Sequence, residues 1–262
     1  MKLKATVAYD GSGFHGFAPN PGVPTITGAI EKALATIFGE PIEIMGAGRT
    51  DKGVHSRGQV ISFDVPEMIR QNPVVPHKLE RSINGLCGPD IIVSNITRVP
   101  DDFHARFSAR WRRYRYQVLI SPHPDPLRPH VWHVWEPLDL GAMQRAATHV
   151  VGEHDFSSFC KRPNVGPDAH EKLMDRTVMS AEWIDAGQDM LEFWVQASAF
   201  CHQMVRSLVG TLVNVGEGQF DPDDIPAILA AKNRKAAGDV APPNGLTFWE
   251  VHYPELDDHR SS

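Results

Sequence analysis

The sequence predicts an α+β protein built from two β-α-β-β-α-β halves, and three observations carry that reading. The chain opens on strict alternation, with Leu3, Ala5, Val7 and Tyr9 on one face at period two. A helix-period stripe of Ile26, Ile30, Leu34 and Ile37 follows. The same succession of strand and helix patterns then returns from Trp111 onward, without any residue-level repeat.

Lys2 to Tyr9 reads as the first strand, broken by the turn chemistry of Asp10-Gly11-Ser12-Gly13. A helix is predicted from Thr27 to Phe38, ended by Gly39. Ile42 to Met45 and Gln59 to Asp64 read as strands around a polar, glycine-containing loop, Gly46 to Gly58. A helix from His77 to Leu86 and a strand from Ile91 to Val99 complete a split β-α-β unit, the ferredoxin-like arrangement.

The second half begins with a strand from Trp111 to Ile120. Its first helix is expected from Leu140 to Val151, with Asp139 as N-cap and Gly152 just past the end. Thr177 to Ile184 and Met190 to Ala197 pair around Asp185-Ala186-Gly187, and a helix from His202 to Val215 follows. Another helix should start at Asp221-Pro222, and Leu246 to Tyr253 is the last strand. The expected division is residues 1–103, 104–256 and a tail, 257–262, with Arg162 to Arg176 as a loop.

A hydrophobic fraction of 42% with 22% charged residues is that of a folded globular chain. No apolar run nears the roughly 18 residues that a membrane span requires, and Met1-Lys2-Leu3-Lys4 leads into a strand rather than an apolar leader. The expected location is cytoplasmic. Cys87, Cys160 and Cys201 are odd in number and scattered, which argues against a disulfide framework or a zinc cage. The net charge of −6 is unusual for a nucleic-acid binder, but Arg106, Arg110, Arg112, Arg113 and Arg115 crowd one stretch.

Three segments could carry chemistry. The first is Gly46-Ala47-Gly48-Arg49-Thr50-Asp51-Lys52-Gly53-Val54-His55. Asp-Lys-Gly alone is ordinary turn chemistry. An arginine two residues before a carboxylate, bracketed by glycines, can also approach a ligand closely and keep that carboxylate ionised. Such a group suits attack on an electrophilic carbon or proton abstraction.

The second segment, Phe103 to Tyr116, interleaves arginines with aromatics. On a strand, Tyr114, Tyr116 and Val118 face one way and Arg113 and Arg115 the other. Guanidinium groups neutralise phosphates and aromatic faces stack on bases, although a half-buried strand with a solvated charged face has the same pattern. In the third, Ala197 to Arg206, Arg206 is the one charged side chain at the head of an apolar helix. It is either a partnered charge or a snorkelling surface arginine. The histidines show no metal-ligand spacing, and no glycine-rich cofactor motif is complete, so neither metal nor cofactor is expected.

At these residues the sequence resembles the tRNA pseudouridine synthase A family (TruA). Gly48-Arg49-Thr50-Asp51-Lys52-Gly53-Val54-His55 matches the family's central motif, Gly-Arg-Thr-Asp-x-Gly-Val-His. Pro100 to Ala109 followed by Arg113-Tyr114-Arg115-Tyr116 resembles its second motif, and Ala199-Phe200 with Met204-Val205-Arg206 and Val209-Gly210 its third. Tyr9-Asp10-Gly11-Ser12 resembles its N-terminal signature. The chain departs at Gly16-Phe17-Ala18, where the family usually reads Gly-Trp-Gln.

The resemblance implies the pseudouridine synthase fold, two ferredoxin-like halves with joined sheets and a central cleft. It implies an isomerase acting on uridines on the 3′ side of the tRNA anticodon stem-loop, expected at tRNA positions 38, 39 and 40, without a cofactor. It implies a homodimer whose subunits both contact the tRNA. Asp51 would act on the ribose, at C1′ or on the C2′ proton. Arg49 would fill the space the base vacates or hold the flipped state, Tyr114 would stack on the uracil and assist removal of the C5 proton, and Arg206 would pair with Asp51. The alternatives are a synthase of the same chemistry on another RNA, a non-catalytic RNA-binding module, and an α+β protein whose Asp turn is structural.

Overall fold

The computed structural model describes residues 1–66, 75–161 and 174–254. The chain forms two compact units, one of Met1–Arg110 with the residues from Thr247 onward, the other of Trp111–Leu246. The 162–173 part of the expected loop and the expected tail lie outside the described residues.

The first unit runs β1 (Lys2–Tyr9), α1 (Ile26–Phe38), β2 (Ile44–Gly46), β3 (His55–Asp64), α2 (Pro76–Cys87) and β4 (Ile91–Arg98). β1 lies between β4 and β3, antiparallel to both, and β2 pairs antiparallel with β3. That is the split β-α-β order that the sequence predicts. Thr25 caps α1 by accepting from Gly28 N at 3.2 Å, and Gly39 ends it in the left-handed conformation at φ 77°. Alternation along β1 buries Leu3, Ala5, Val7 and Tyr9 against Ile26, Ile30 and Leu34 of α1 and Leu79 and Ile83 of α2.

Two features go beyond the expected pattern. β3 begins at His55 rather than Gln59, so the intervening loop is shorter, Ala47 to Val54. The last strand, β10 (Leu246–His252), runs parallel to β3, with Thr247 opposite His55 and Phe248 opposite Ser56. β2 pairs with β3 only between Ile61 and Phe63. β10 therefore occupies the stretch of that edge beside the start of β3, and the sheet is mixed. Behind it, Ala47, Val60, Val99, Phe103, Ala105 and Tyr253 form a second cluster, closed by a 2.6 Å bond from the Tyr253 hydroxyl to Ala105 O.

The second unit contains β5 (Trp111–Ile120), β6 (Trp132–Val134), α3 (Leu140–Thr148), β7 (Gly152–Asp155), β8 (Asp175–Gly187), β9 (Met190–Ala197), α4 (Met204–Gly216) and α5 (Ile225–Ala230). Its strands lie in the order β5-β9-β8-β7, antiparallel throughout, with β6 parallel to β5. Asp139 caps α3 through Ala142 N at 2.9 Å, as expected, but the helix ends at Thr148, three residues early. The helix expected at Asp221 is a 3₁₀ turn, Pro222–Asp224, leading into the short α5. Trp183, Phe193, Tyr116, Phe156 and Phe159 are fully buried here.

The expectation against a disulfide is corrected. Cys160 and Cys201 are joined, with Cα atoms 5.8 Å apart, and only Cys87 is free. Scatter along the chain says nothing about distance in the fold, and an odd count leaves room for one pair. Among the described residues no helix is long and apolar enough to cross a membrane.

Candidate active site

The loop from Ala47 to Val54 leaves the end of β2 and returns into β3, so both its ends are fixed by the same sheet. Almost every residue between is tied down. Ala47 N donates to Val60 O at 2.8 Å. Gly48 is gripped by the Gln59 side chain, whose Nε2 donates to Gly48 O at 2.9 Å while Oε1 accepts from Gly48 N at 3.3 Å. The Thr50 hydroxyl meets the Tyr9 hydroxyl at 2.8 Å, and Thr50 O accepts from Phe17 N at 3.1 Å. Asp51 O accepts from Val54 N at 3.2 Å, closing the turn over Lys52 and Gly53, where Gly53 takes φ 79°.

The side chains follow from that backbone. Thr50 and Val54 point inward and are buried, whereas Arg49 and Lys52 are exposed and Asp51 is half-exposed. Beneath the loop, burial pushes the Tyr9 hydroxyl well above the ordinary phenol range, offset in part by hydrogen bonding to Thr50, Gln59 and Ser56. Tyr9 is therefore a neutral phenol held under the loop. His55, at the head of β3, places Nδ1 3.1 Å from both Gly11 N and Asp10 Oδ1. Gly11 packs so closely that a Cβ there would sit 2.1 Å from Val54 O. Gly16, at φ 100°, lies against the Thr50 carbonyl in the same way. The Asp10–Phe17 segment is thus a backing for the loop, and Gly11 and Gly16 are glycines because a side chain at either would displace it. Lys52 Nζ reaches His15 Nε2 at 3.2 Å on the outer rim.

In the second unit, Tyr114 and Arg206 lie on β5 and in the first turn of α4. Tyr114 is buried on the inner face, with its ring edge-on to Phe200 at 4.9 Å. Arg206 donates from Nε to Ala241 O at 2.7 Å. Its charge acts on Tyr116, whose hydroxyl donates to Pro242 O at 2.8 Å and whose pKa burial drives far above the ordinary range.

The arginine stretch divides as alternation requires, but the charges of Arg112, Arg113 and Arg115 are not open surface. Arg112 is buried and donates to Ser198 O at 2.8 Å. Arg113 and Arg115 lie over the Trp194 ring at 4.8 and 5.9 Å, and face Glu182 at 3.8 Å and Glu192 at 3.3 Å respectively. Glu192 also accepts from Trp194 Nε1 at 2.9 Å. The strand pattern could not reveal these carboxylates, which come from β8 and β9. Arg106 and Arg110 are exposed.

The family model described as tRNA pseudouridine synthase matches residues 5–108 and 146–254, a span that includes the whole loop and reaches into both units. The chain belongs to that family. It is similar to tRNA pseudouridine synthase A of Bacillus licheniformis, 42% identical over 97% of this chain and 99% of the relative. The corresponding figures for tRNA pseudouridine synthase A of Bacillus subtilis are 39%, 97% and 99%. A solved archaeal box H/ACA sRNP Nop10-Cbf5 complex overlaps 80% of this chain and 44% of its own at 10% identity, with a TM-score of 0.37.

Sequence reading singled out Asp51, Arg49, Tyr114 and Arg206. It gave no role of their own to Gln59, His55 and Tyr116, polar side chains buried on strands, or to Thr50, a buried hydroxyl of the loop. The available signal was a polar residue on an inward position of a strand, which needs a partner wherever it is buried.

Proposed function

We propose that this protein isomerises uridine to pseudouridine in the anticodon arm of tRNA, with Asp51 as the catalytic carboxylate. The observation that carries the reading is the loop itself. A stretch of eight residues, Gly48 to His55, is fixed from below at Gly48, Thr50 and Val54 and carries Asp51 between two exposed cations, Arg49 and Lys52. A structural Asp turn needs no such scaffold, and a passive RNA-binding surface would gain nothing from it.

The reaction breaks the N1–C1′ bond of uridine, turns the uracil and rejoins it through C5. It needs no redox step. The target base has to leave the stack before its ribose can be reached. In this proposal Arg49, exposed two residues before Asp51, holds the flipped state. Asp51 acts on the ribose, either at C1′ or on the C2′ proton. Tyr114 contacts the uracil, and Arg206 keeps Asp51 ionised and aimed. The same reading includes a homodimer whose two subunits share the tRNA, and a cytoplasmic location.

The test is pseudouridine mapping by mass spectrometry on unmodified tRNA transcripts treated with wild type or Asp51→Asn. Anticodon-arm pseudouridine is expected with wild type only, while the variant keeps its tRNA affinity. Absence of pseudouridine with wild type, tRNA binding being retained, would favour a binding module. Product in another RNA but not in tRNA would move the substrate and leave the chemistry.

A further inference from the structure

We propose that Gln59 is a positioning residue for the catalytic loop, its side-chain amide setting where Asp51 is presented. The inference rests on the reading of Asp51 given above. Gln59 has no exposed surface, and it lies on β3 opposite Val7 of β1. A buried amide has to find partners, and most do so within their own sheet or helix. Gln59 instead reaches out to a loop residue eleven positions earlier and bonds both its N–H and its C=O. Such a reciprocal pair copies one rung of a β-ladder, and does so where the edge of β3 has passed from β2 and not yet reached β10.

The position of the clamp gives it its effect. Gly48 precedes Arg49 and stands three residues before Asp51. Thr50 and Asp51 are held by other groups, Tyr9 and Phe17 on one and Val54 on the other. Gly48 is the point at which the loop departs from β2, so its orientation decides how the next three residues are laid down. The clamp is itself braced. Gln59 N donates to Ser56 Oγ at 2.9 Å, and Ser56 Oγ donates to Phe248 O at 3.1 Å or Val7 O at 3.3 Å. Gln59 Oε1 also accepts from Val60 N at 3.2 Å. The loop's orientation is thereby tied to strands on either side of β3.

The chemistry of the clamp supplies its test. A protonated glutamic acid can replace glutamine, its O–H donating to Gly48 O and its C=O accepting from Gly48 N. An ionised one presents two acceptors and repels the Gly48 carbonyl. Burial raises a carboxyl pKa by up to about 3–5 units from an ordinary value of about 4.3, which carries its change of state toward neutral pH. Single-turnover pseudouridine formation on a tRNA transcript is to be followed for wild type, Gln59→Glu and Gln59→Met between pH 6 and pH 8.5, with tRNA affinity measured in parallel. For Gln59→Met a loss on the order of 10²-fold in rate is expected at every pH, with affinity within about threefold of wild type. For Gln59→Glu the rate relative to wild type should rise toward acid by up to about tenfold per pH unit.

A flat ratio for Gln59→Glu would overturn the proposal, as would a Gln59→Met loss confined to affinity. Unfolding of both variants would overturn it as well, because Gln59 would then be needed for the fold and not for the loop. If one variant fails to fold, the other still decides. Absence of product with wild type would sink the reading of Asp51 itself, and this inference with it. An active wild type beside an unaffected Gln59→Met would sink this inference alone.

Discussion

Gly11→Ala isolates the contact between the N-terminal turn and the loop that carries Asp51. Gly11 does not have a positive φ, so alanine suits its backbone and only the added methyl matters. That methyl would stand 2.1 Å from Val54 O and 2.7 Å from Val54 C, against a floor of 3.0 Å for such contacts. Backbone atoms cannot swing aside as a side chain can, so either the loop or the turn has to withdraw by about 1 Å. Val54 N donates to Asp51 O, so movement of Val54 carries Asp51 with it. A displacement of about 1 Å at a reacting group costs on the order of 10²-fold in rate, and the overpacking costs about 1–3 kcal/mol of stability. Gly13→Ala is the matched control, since nothing lies within 4 Å of its added methyl. Single-turnover pseudouridine formation and thermal midpoints on both variants make the test. Gly11→Ala should lose rate strongly and stay folded, and Gly13→Ala should match wild type. A Gly11→Ala rate within about threefold of wild type, or an equal loss in Gly13→Ala, would refute the account of the loop as a rigid, backed structure.

Two further outcomes follow from the buried groups. Tyr9 and Tyr116 have folded-state pKa values raised above the ordinary 10.0. Their stabilising share is present below about pH 10, where the unfolded phenols are also neutral, and is lost as pH climbs beyond it. The thermal midpoint should fall steeply above pH 10, and less steeply in Tyr9→Phe; an identical slope would show that burial of Tyr9 is not coupled to folding. Denatured protein purified without reductant should titrate one thiol, Cys87, and three after reduction, because Cys160 and Cys201 are joined. Three thiols before reduction would show that pair to be open.

Much of the fold was legible because its strands are half-buried. β1, β5 and β9 alternate so regularly that their bounds agree residue for residue with the structure. Elements without a period were not legible. β6 and β7, three and four residues long, offer no alternation to detect, and the start of β3 was hidden because Ser56, Arg57 and Gly58 look like loop. Non-local relations were also out of reach. The parallel pairing of β10 with β3 joins residues nearly two hundred positions apart, and periodicity has no means of choosing that partner. The site divides in the same way. Asp51 and Arg49 were readable from a local motif, whereas the Gln59–Gly48 clamp, the Tyr9–Thr50 contact and the glutamates facing Arg113 and Arg115 exist only once separate strands are brought together.

The place of β10 also bears on synthesis. Thr247 and Phe248 pair with the head of β3, yet Trp111–Leu246 has to be made before they leave the ribosome. During that interval the edge of β3 next to Asp51 has no strand to cover it. An open edge recruits whatever extended chain is near, a neighbouring nascent polypeptide included. The second unit is thus an insertion that delays closure of the first, and the head of β3 gains its parallel partner only after that unit has been made.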